Sequence, residues 1–401
     1  MQQISKFKKT ELGEIPEHWI IVNLGEHVEL RSGKSNPTKN LSENNLIPVY
    51  GANGITGFFT EHIMEIPTIV VGRVGEYAGS IHITKGKSWI TDNAIYFSKL
   101  PDFMDVNFLG SFLILYDLGR LAEKTGQPKL TQVPIKQIKL PLPPLKEQQK
   151  ITLILSNVGE LIQKTEQIIE QTQRFKKGLM QKLLTKGIGH TKFKNTKFGE
   201  IPKEWEAKTL VDICNTVRDG SHFSPKHQDM GFPLATVTNM KDNYIDIDSC
   251  YKISKEDYDL LVKNGCKLES GDVLFSKDGT VGLSLVYNQN KPLVVLSSIA
   301  ILRPKKEILN PYFTKYVLQS EVILGRILGA RTGTALRRII LKDLRKITIP
   351  IPQLKEQQKI ISILSTFDLS LKNYNNYKLK IENLKKGLMQ QLLTGKIRVK
   401  V

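Results

Sequence analysis

Apolar residues recur at three-, four- and seven-residue steps along two long stretches of the chain. The first runs through Ile151, Ile154, Val158, Leu161, Ile168, Phe175 and Leu179, the second through Ile360, Ile363, Phe367, Tyr374, Tyr377, Ile381, Leu384 and Leu388. This heptad spacing predicts two long helices. Pro143 and Pro144 suit the first turn of the first helix, and Gly187 and Gly395 suit the two stops. About 42 residues at 1.5 Å each make a rod on the order of 60 Å. A seam that long needs a partner, so the two helices are expected to pair antiparallel. Gly178 and Gly387 sit at the same point of each helix and cost about 1 kcal/mol relative to Ala; a close crossing or a kink would explain them, and the sequence does not choose.

The remaining chain reads as short β-rich runs broken by Gly and Asn, such as TIVVGRV and SIHIT before the first helix and DVLFSKDGTVGLSLVY and PLVVLSSIAILRP before the second. The two halves also share text. LPLPPLKEQQKI at Leu140–Ile151 returns as IPIPQLKEQQKI at Ile349–Ile360, KKGLMQKLLT at Lys176 returns as KKGLMQQLLT at Lys385, and GEIPEHW at Gly13 returns as GEIPKEW at Gly199. Between Trp and the Pro-rich phrase the letters stop agreeing, so each half is a constant frame around a variable insert. The expected fold is α+β: two β-rich globular domains joined by two long antiparallel helices in a pseudo-twofold internal repeat. Its divisions are a first domain over 1–141, a helix over 142–187, a linker and second domain over 188–350, and a second helix over 351–401.

Charge adds a partner to this picture. Lys and Arg number 58 against 39 Asp and Glu, a formal charge of +19, which points to a polyanion such as nucleic acid or an anionic membrane. No apolar run approaches the roughly 20 residues that span a bilayer, and MQQISKFKKT lacks the apolar core of a signal peptide, so a cytoplasmic protein is expected. Cys214, Cys250 and Cys266 show no metal spacing and are expected to be packing residues. Two unlike modules at a fixed separation on a basic chain suit duplex DNA carrying a split recognition sequence.

The paired P-x-P-x-L-K-E-Q phrases, the two GEIP-x-x-W segments and the closing KKGLMQQLLTGK resemble the specificity subunits of Type I restriction-modification systems, over the whole chain. Stretches inside the inserts, among them IPVYGANGITGF, GRVGEYAGSIH, TDNAIYF, RDGSHFSP, GDVLFSKDGTVG and TGTALRRI, are similar to those of that family's target-recognition domains. The resemblance implies a non-catalytic reader of a bipartite, asymmetric DNA target that recruits two methyltransferase subunits and restriction (motor-nuclease) subunits. It also implies that this chain binds no cofactor, S-adenosylmethionine, ATP and Mg being used by the partner subunits. Local motifs agree with a reader: NPYF at Asn310 lacks the second Pro of a methyltransferase loop and reads as a turn, and GRVGEYAG at Gly72 lacks the GK[ST] ending of a phosphate cradle.

Phosphate and base contacts are expected from basic and polar side chains beside turns that can enter a groove. In the first insert these are Arg73, Lys124, Gln127 and Lys129, with Arg73 favoured because Gly72 and Gly75 would let its backbone approach a ligand. In the second they are Lys277, Arg331, Thr334, Arg337 and Arg338. An alternative of another class is a coiled-coil adaptor that presents two β-rich modules to acidic proteins rather than to DNA.

Overall fold

A computed structural model describes residues 6–35, 41–42, 46–123, 126–196, 198–289, 291–329 and 339–400. The chain forms two compact units, Met1–Gln167 with Asn375–Val401, and Ile168–Tyr374. Each unit therefore holds one β-rich domain, the first half of one long helix and the last half of the other.

The long helices are Leu145–Lys186 and Leu354–Leu392. Pro143-Pro144 ends the strand Lys139–Leu142, and the Pro144 carbonyl accepts the N–H groups of Glu147 and Gln148. The first helix stops at Gly187, whose φ of 66° is left-handed, and the segment after the second turns at Gly395 with φ 75°. Within the first unit Gly159 faces Lys385, and Glu166 pairs with Lys378 at 2.8 Å. Within the second, Phe175 packs on Phe367 and Lys176 pairs with Asp368. Residue numbers climb along one helix as they fall along the other, so the pairing is antiparallel.

The buried stripe of the first helix runs through Ile151, Leu155, Thr165, Ile169, Leu183 and Leu184, whereas Leu161, Ile168 and Phe175 are exposed. The heptad is real, but the apolar letters misplace its middle because a polar residue occupies the seam. Thr165 stays there by donating its hydroxyl to the Leu161 carbonyl at 2.7 Å, which removes the cost of burying it. A Cβ on Gly178 or Gly387 would meet nothing within 4 Å, so a close helix crossing is not the reason for either glycine.

The two β-rich domains repeat one topology although their letters differ. The first has a four-stranded sheet in the order Glu29–Ser32, Ala94–Lys99, Ile69–Gly72, Ile81–Ile83; the second has Cys214–Asp219, Ile299–Pro304, Val273–Ser276, Ser284–Val286 in the same order. Beside each lies a three-stranded sheet with one parallel pair, Ile47–Gly51 with Trp89–Ile90 and Phe232–Ala235 with Val294–Val295. A strand after each GEIP-x-x-W segment pairs with the strand of the Pro-rich phrase, Val22 opposite Leu140 and Lys208 opposite Ile349. The second domain adds a helix at Lys255–Lys263 and another at Glu321–Gly329. Pro311, read as part of a turn, instead opens a helix over Pro311–Gln319 capped by Asn310.

The repeated phrase is the joint between helix and domain. Glu147 is 2% exposed and accepts the Trp19 indole N–H at 3.2 Å and the Arg398 guanidinium at 2.6 and 2.9 Å. Glu356 accepts the Trp205 indole N–H at 2.9 Å and lies 2.9 Å from His190 Nε2. The next residue does equivalent work: Gln148 accepts from the Asp105 N–H and donates to the Phe103 and Pro143 carbonyls, and Gln357 accepts from the Asn310 N–H and donates to the Ile308 and Pro352 carbonyls. Both glutamines are fully buried, so every bond they make matters. Leu392 and Leu393 join the first unit's core, Leu183 and Leu184 the second's.

Candidate nucleic-acid interface

In each domain one rim gathers the turns that follow the two strands flanking a shared central strand, Ala94–Lys99 in the first and Ile299–Pro304 in the second. In the first, the Gly33 N–H donates to the Ala94 carbonyl and the Lys34 N–H to that of Ile90, while the Arg73 N–H donates to Asn93 and its carbonyl accepts from Leu130. In the second, Gly220 donates to Ile299, Ser221 to Val295 and Lys277 to Ser298, and the Lys277 carbonyl accepts from Ile339. Four backbone bonds thus repeat one for one between inserts that share no obvious text. Glycine is required at the crossing: a Cβ on Gly33 would stand 2.1 Å from the Thr91 carbonyl oxygen, and one on Gly220 2.3 Å from that of Val295. Arg73 and Lys277 hold the same place in the two rims.

The first rim brings together three of the four residues expected there. Arg73 is half-buried, Gln127 and Lys129 are exposed, and the segment carrying them is pinned to the Arg73 turn by the Val74–Lys129 bridge and by the Gly75 N–H on the Pro128 carbonyl at 2.9 Å. Gly75 has φ 74°, and its Cβ position would lie 3.5 Å from Gln127 Nε2. Gly72 serves the turn itself, since a Cβ there would meet the Tyr77 carbonyl at 2.1 Å; its role is internal packing rather than approach to a ligand. Lys124 lies outside the described residues. Lys34, which the sequence reading missed, is exposed on the same rim, tied at 2.9 Å to the Ile90 carbonyl.

The second rim differs at its centre. Lys277 is 1% exposed and pairs with Asp219 at 2.5 Å, with His222 on the far side of that carboxylate at 3.6 Å. A lysine expected to reach DNA is instead turned inward to neutralise a carboxylate that has left water. The signal for this was the aspartate before Gly220, whose sheet neighbour is fixed only by the fold. Arg331, Thr334, Arg337 and Arg338 lie outside the described residues. Among the described residues no cluster of three or more His, Cys, Asp or Glu could hold a metal ion, and no helix is long and apolar enough to cross a membrane. Cys214, Cys250 and Cys266 are free and buried, and burial pushes the Cys214 thiol up to about 12 and that of Cys250 up to about 11.

Comparison with known proteins places the chain in a family. The Type I restriction modification DNA specificity domain matches twice, over residues 16–174 and 202–383. The Type I restriction enzyme MjaVIII specificity subunit of Methanocaldococcus jannaschii is 29% identical over 98% of this chain and 96% of its own length, and the putative type I restriction enzyme MjaX specificity subunit of the same organism is 29% identical over 98% and 97%. The crystal structure of a Type I restriction-modification system S subunit from M. genitalium shares the fold, with a TM-score of 0.59 at 15% identity over 97% of this chain and 98% of that one. With that domain present twice, once around each rim, the chain belongs to the Type I restriction-modification DNA specificity family.

Proposed function

We propose that the chain is the DNA-reading specificity subunit of a Type I restriction-modification complex, each domain reading one half of a bipartite, asymmetric target through its rim. The observation that carries this reading is the rim itself: one backbone scaffold presented twice, with Lys34, Arg73, Gln127 and Lys129 on one copy and a different set of side chains on the other. A constant scaffold with changed letters gives two readers of unlike sequence, because base edges are distinguished by the side chains that reach them. The adaptor reading is not favoured by membership of a DNA specificity family.

Chemistry is assigned to partners. The chain is a non-catalytic subunit that recruits two methyltransferase subunits and, for cleavage, motor-nuclease subunits, which bring S-adenosylmethionine, ATP and Mg; it works in the cytoplasm, where its DNA is. The test is a swap. A chain in which residues 205–349 are replaced by a copy of residues 19–140, assembled with the modification subunit, should select a symmetric split site from a random DNA library. Selection of the original asymmetric site, or of none by the parent complex, would overturn the reading.

A further inference from the structure

The two units differ sharply at one equivalent place. In the second, Asp368 accepts the Tyr316 hydroxyl at 2.6 Å and the Lys176 ammonium, with Lys315 3.7 Å away and itself bonded to Asn243 at 2.6 Å. Burial pushes the Asp368 carboxyl up, but Lys176, Tyr316 and Lys315 outweigh it and hold the group below its ordinary value. The repeat aligns Lys176 with Lys385 and Asp368 with Gly159. The matched helix caps Asp105 and Asn310, each bonded to the glutamine of its repeated phrase, align Tyr316 with Ser111 and Lys315 with Gly110. The first unit has therefore kept the lysine and lost the carboxylate, the phenol and the second lysine.

What remains is a cleft of about 440 Å³, lined by Asn107, Ser111, Gln149, Thr152, Ser156 and Lys385 among others. Lys385 points at the vacant position, its ammonium 3.3 Å from where a Cβ on Gly159 would stand. Thr152 and Ser156 already donate their hydroxyls to helix carbonyls. The exposed side chains of Asn107 and Gln149 and the half-buried ones of Ser111 and Lys385 have no hydrogen-bond or ion-pair partner among the described residues, so four donors border one open space. An ammonium in a partly enclosed site is poorly hydrated and gains from a carboxylate more than a surface lysine does.

We propose that this cleft receives an acidic side chain, Asp or Glu, of a partner protein, which sits on Lys385 as Asp368 sits on Lys176. The proposal rests on the reading of the chain as a subunit of a larger complex and names the methyltransferase subunit as that partner. One unit thus closes its lysine internally while the other leaves it open, so a single chain offers one such receptor rather than two.

Gly159→Asp supplies the missing carboxylate from within. The isolated variant should melt at higher temperature than wild type in low salt, and Lys385→Met in the same chain should abolish the gain. Calorimetry with the modification subunit should show that Gly159→Asp weakens one of the two binding events about tenfold or more, as expected for a lost charge-assisted contact, while Gly178→Asp, the same charge placed on an open helix face, leaves both unchanged. Equal affinity of wild type and Gly159→Asp would overturn the cleft alone. Loss of DNA affinity with the subunit affinity intact would make the occupant a phosphate and overturn it as well, and failure of wild type to bind the subunit would sink the assembly reading and the cleft together.

Discussion

Glu147, in the first turn of one long helix, accepts the indole proton of Trp19 at 3.2 Å from 128 residues away in sequence. Glu356 and Trp205 make the same contact in the second unit at 2.9 Å. Each carboxylate is completed by a residue that follows the opposite long helix in sequence, Arg398 for Glu147 and His190 for Glu356.

Removing this carboxylate leaves a half-buried guanidinium and a fully buried indole donor without this acceptor. Glu147→Ala should cost about 3 kcal/mol or more, seen as a lower thermal midpoint of the chain. A midpoint within a degree of wild type would show that the carboxylate is not what joins helix to domain.

The two rim cations should behave oppositely. Arg73→Ala should leave thermal stability nearly unchanged and alter DNA binding, weakening selection at one base position by about 1 to 3 kcal/mol if the guanidinium reads a guanine edge, or affinity for every sequence if it meets phosphate. Lys277→Ala should leave the largely buried Asp219 with only His222 beside it and cost about 3 kcal/mol of stability. Thermal melts together with binding to single-base variants at two salt concentrations separate these effects, and a stable Lys277→Ala chain would contradict the buried pair.

Glycines at equivalent-looking places should divide by what surrounds them. Gly33→Ala and Gly220→Ala drive a methyl into a carbonyl oxygen and should each cost about 2 kcal/mol. Gly178→Ala and Gly387→Ala meet open space and should each gain about 1 kcal/mol from helix propensity. Four melting curves decide the matter.

Stability should also fall in alkali through the buried thiols. Below pH 9 both folded and unfolded chains keep the protons of Cys214 and Cys250; as pH rises from 9 towards 11 the unfolded chain releases protons that burial makes the folded chain retain, so unfolding becomes easier. Comparing thermal midpoints at pH 8 and pH 10 for wild type and for Cys214→Ala should show a smaller drop in the variant, and equal drops would remove the thiol from the explanation.

The sequence by itself determined the two helices, their antiparallel pairing, the duplicated frame and the basic surface. Those features come from local periodicity, caps such as Pro143-Pro144 and Gly187, and text copied between the halves, each readable from near neighbours. Only the tertiary structure decided that Thr165 rather than Leu161 faces the seam, since its hydroxyl is satisfied by its own helix. Only it decided that Lys277 points inward, because Asp219 reaches that lysine through strand pairing across 58 positions of chain. The likeness of the two inserts was hidden for the same reason. Their rims are fixed by backbone hydrogen bonds, which most side chains permit, so the letters were free to diverge while the glycines at 33 and 220 were held by carbonyls 2.1 and 2.3 Å from any Cβ.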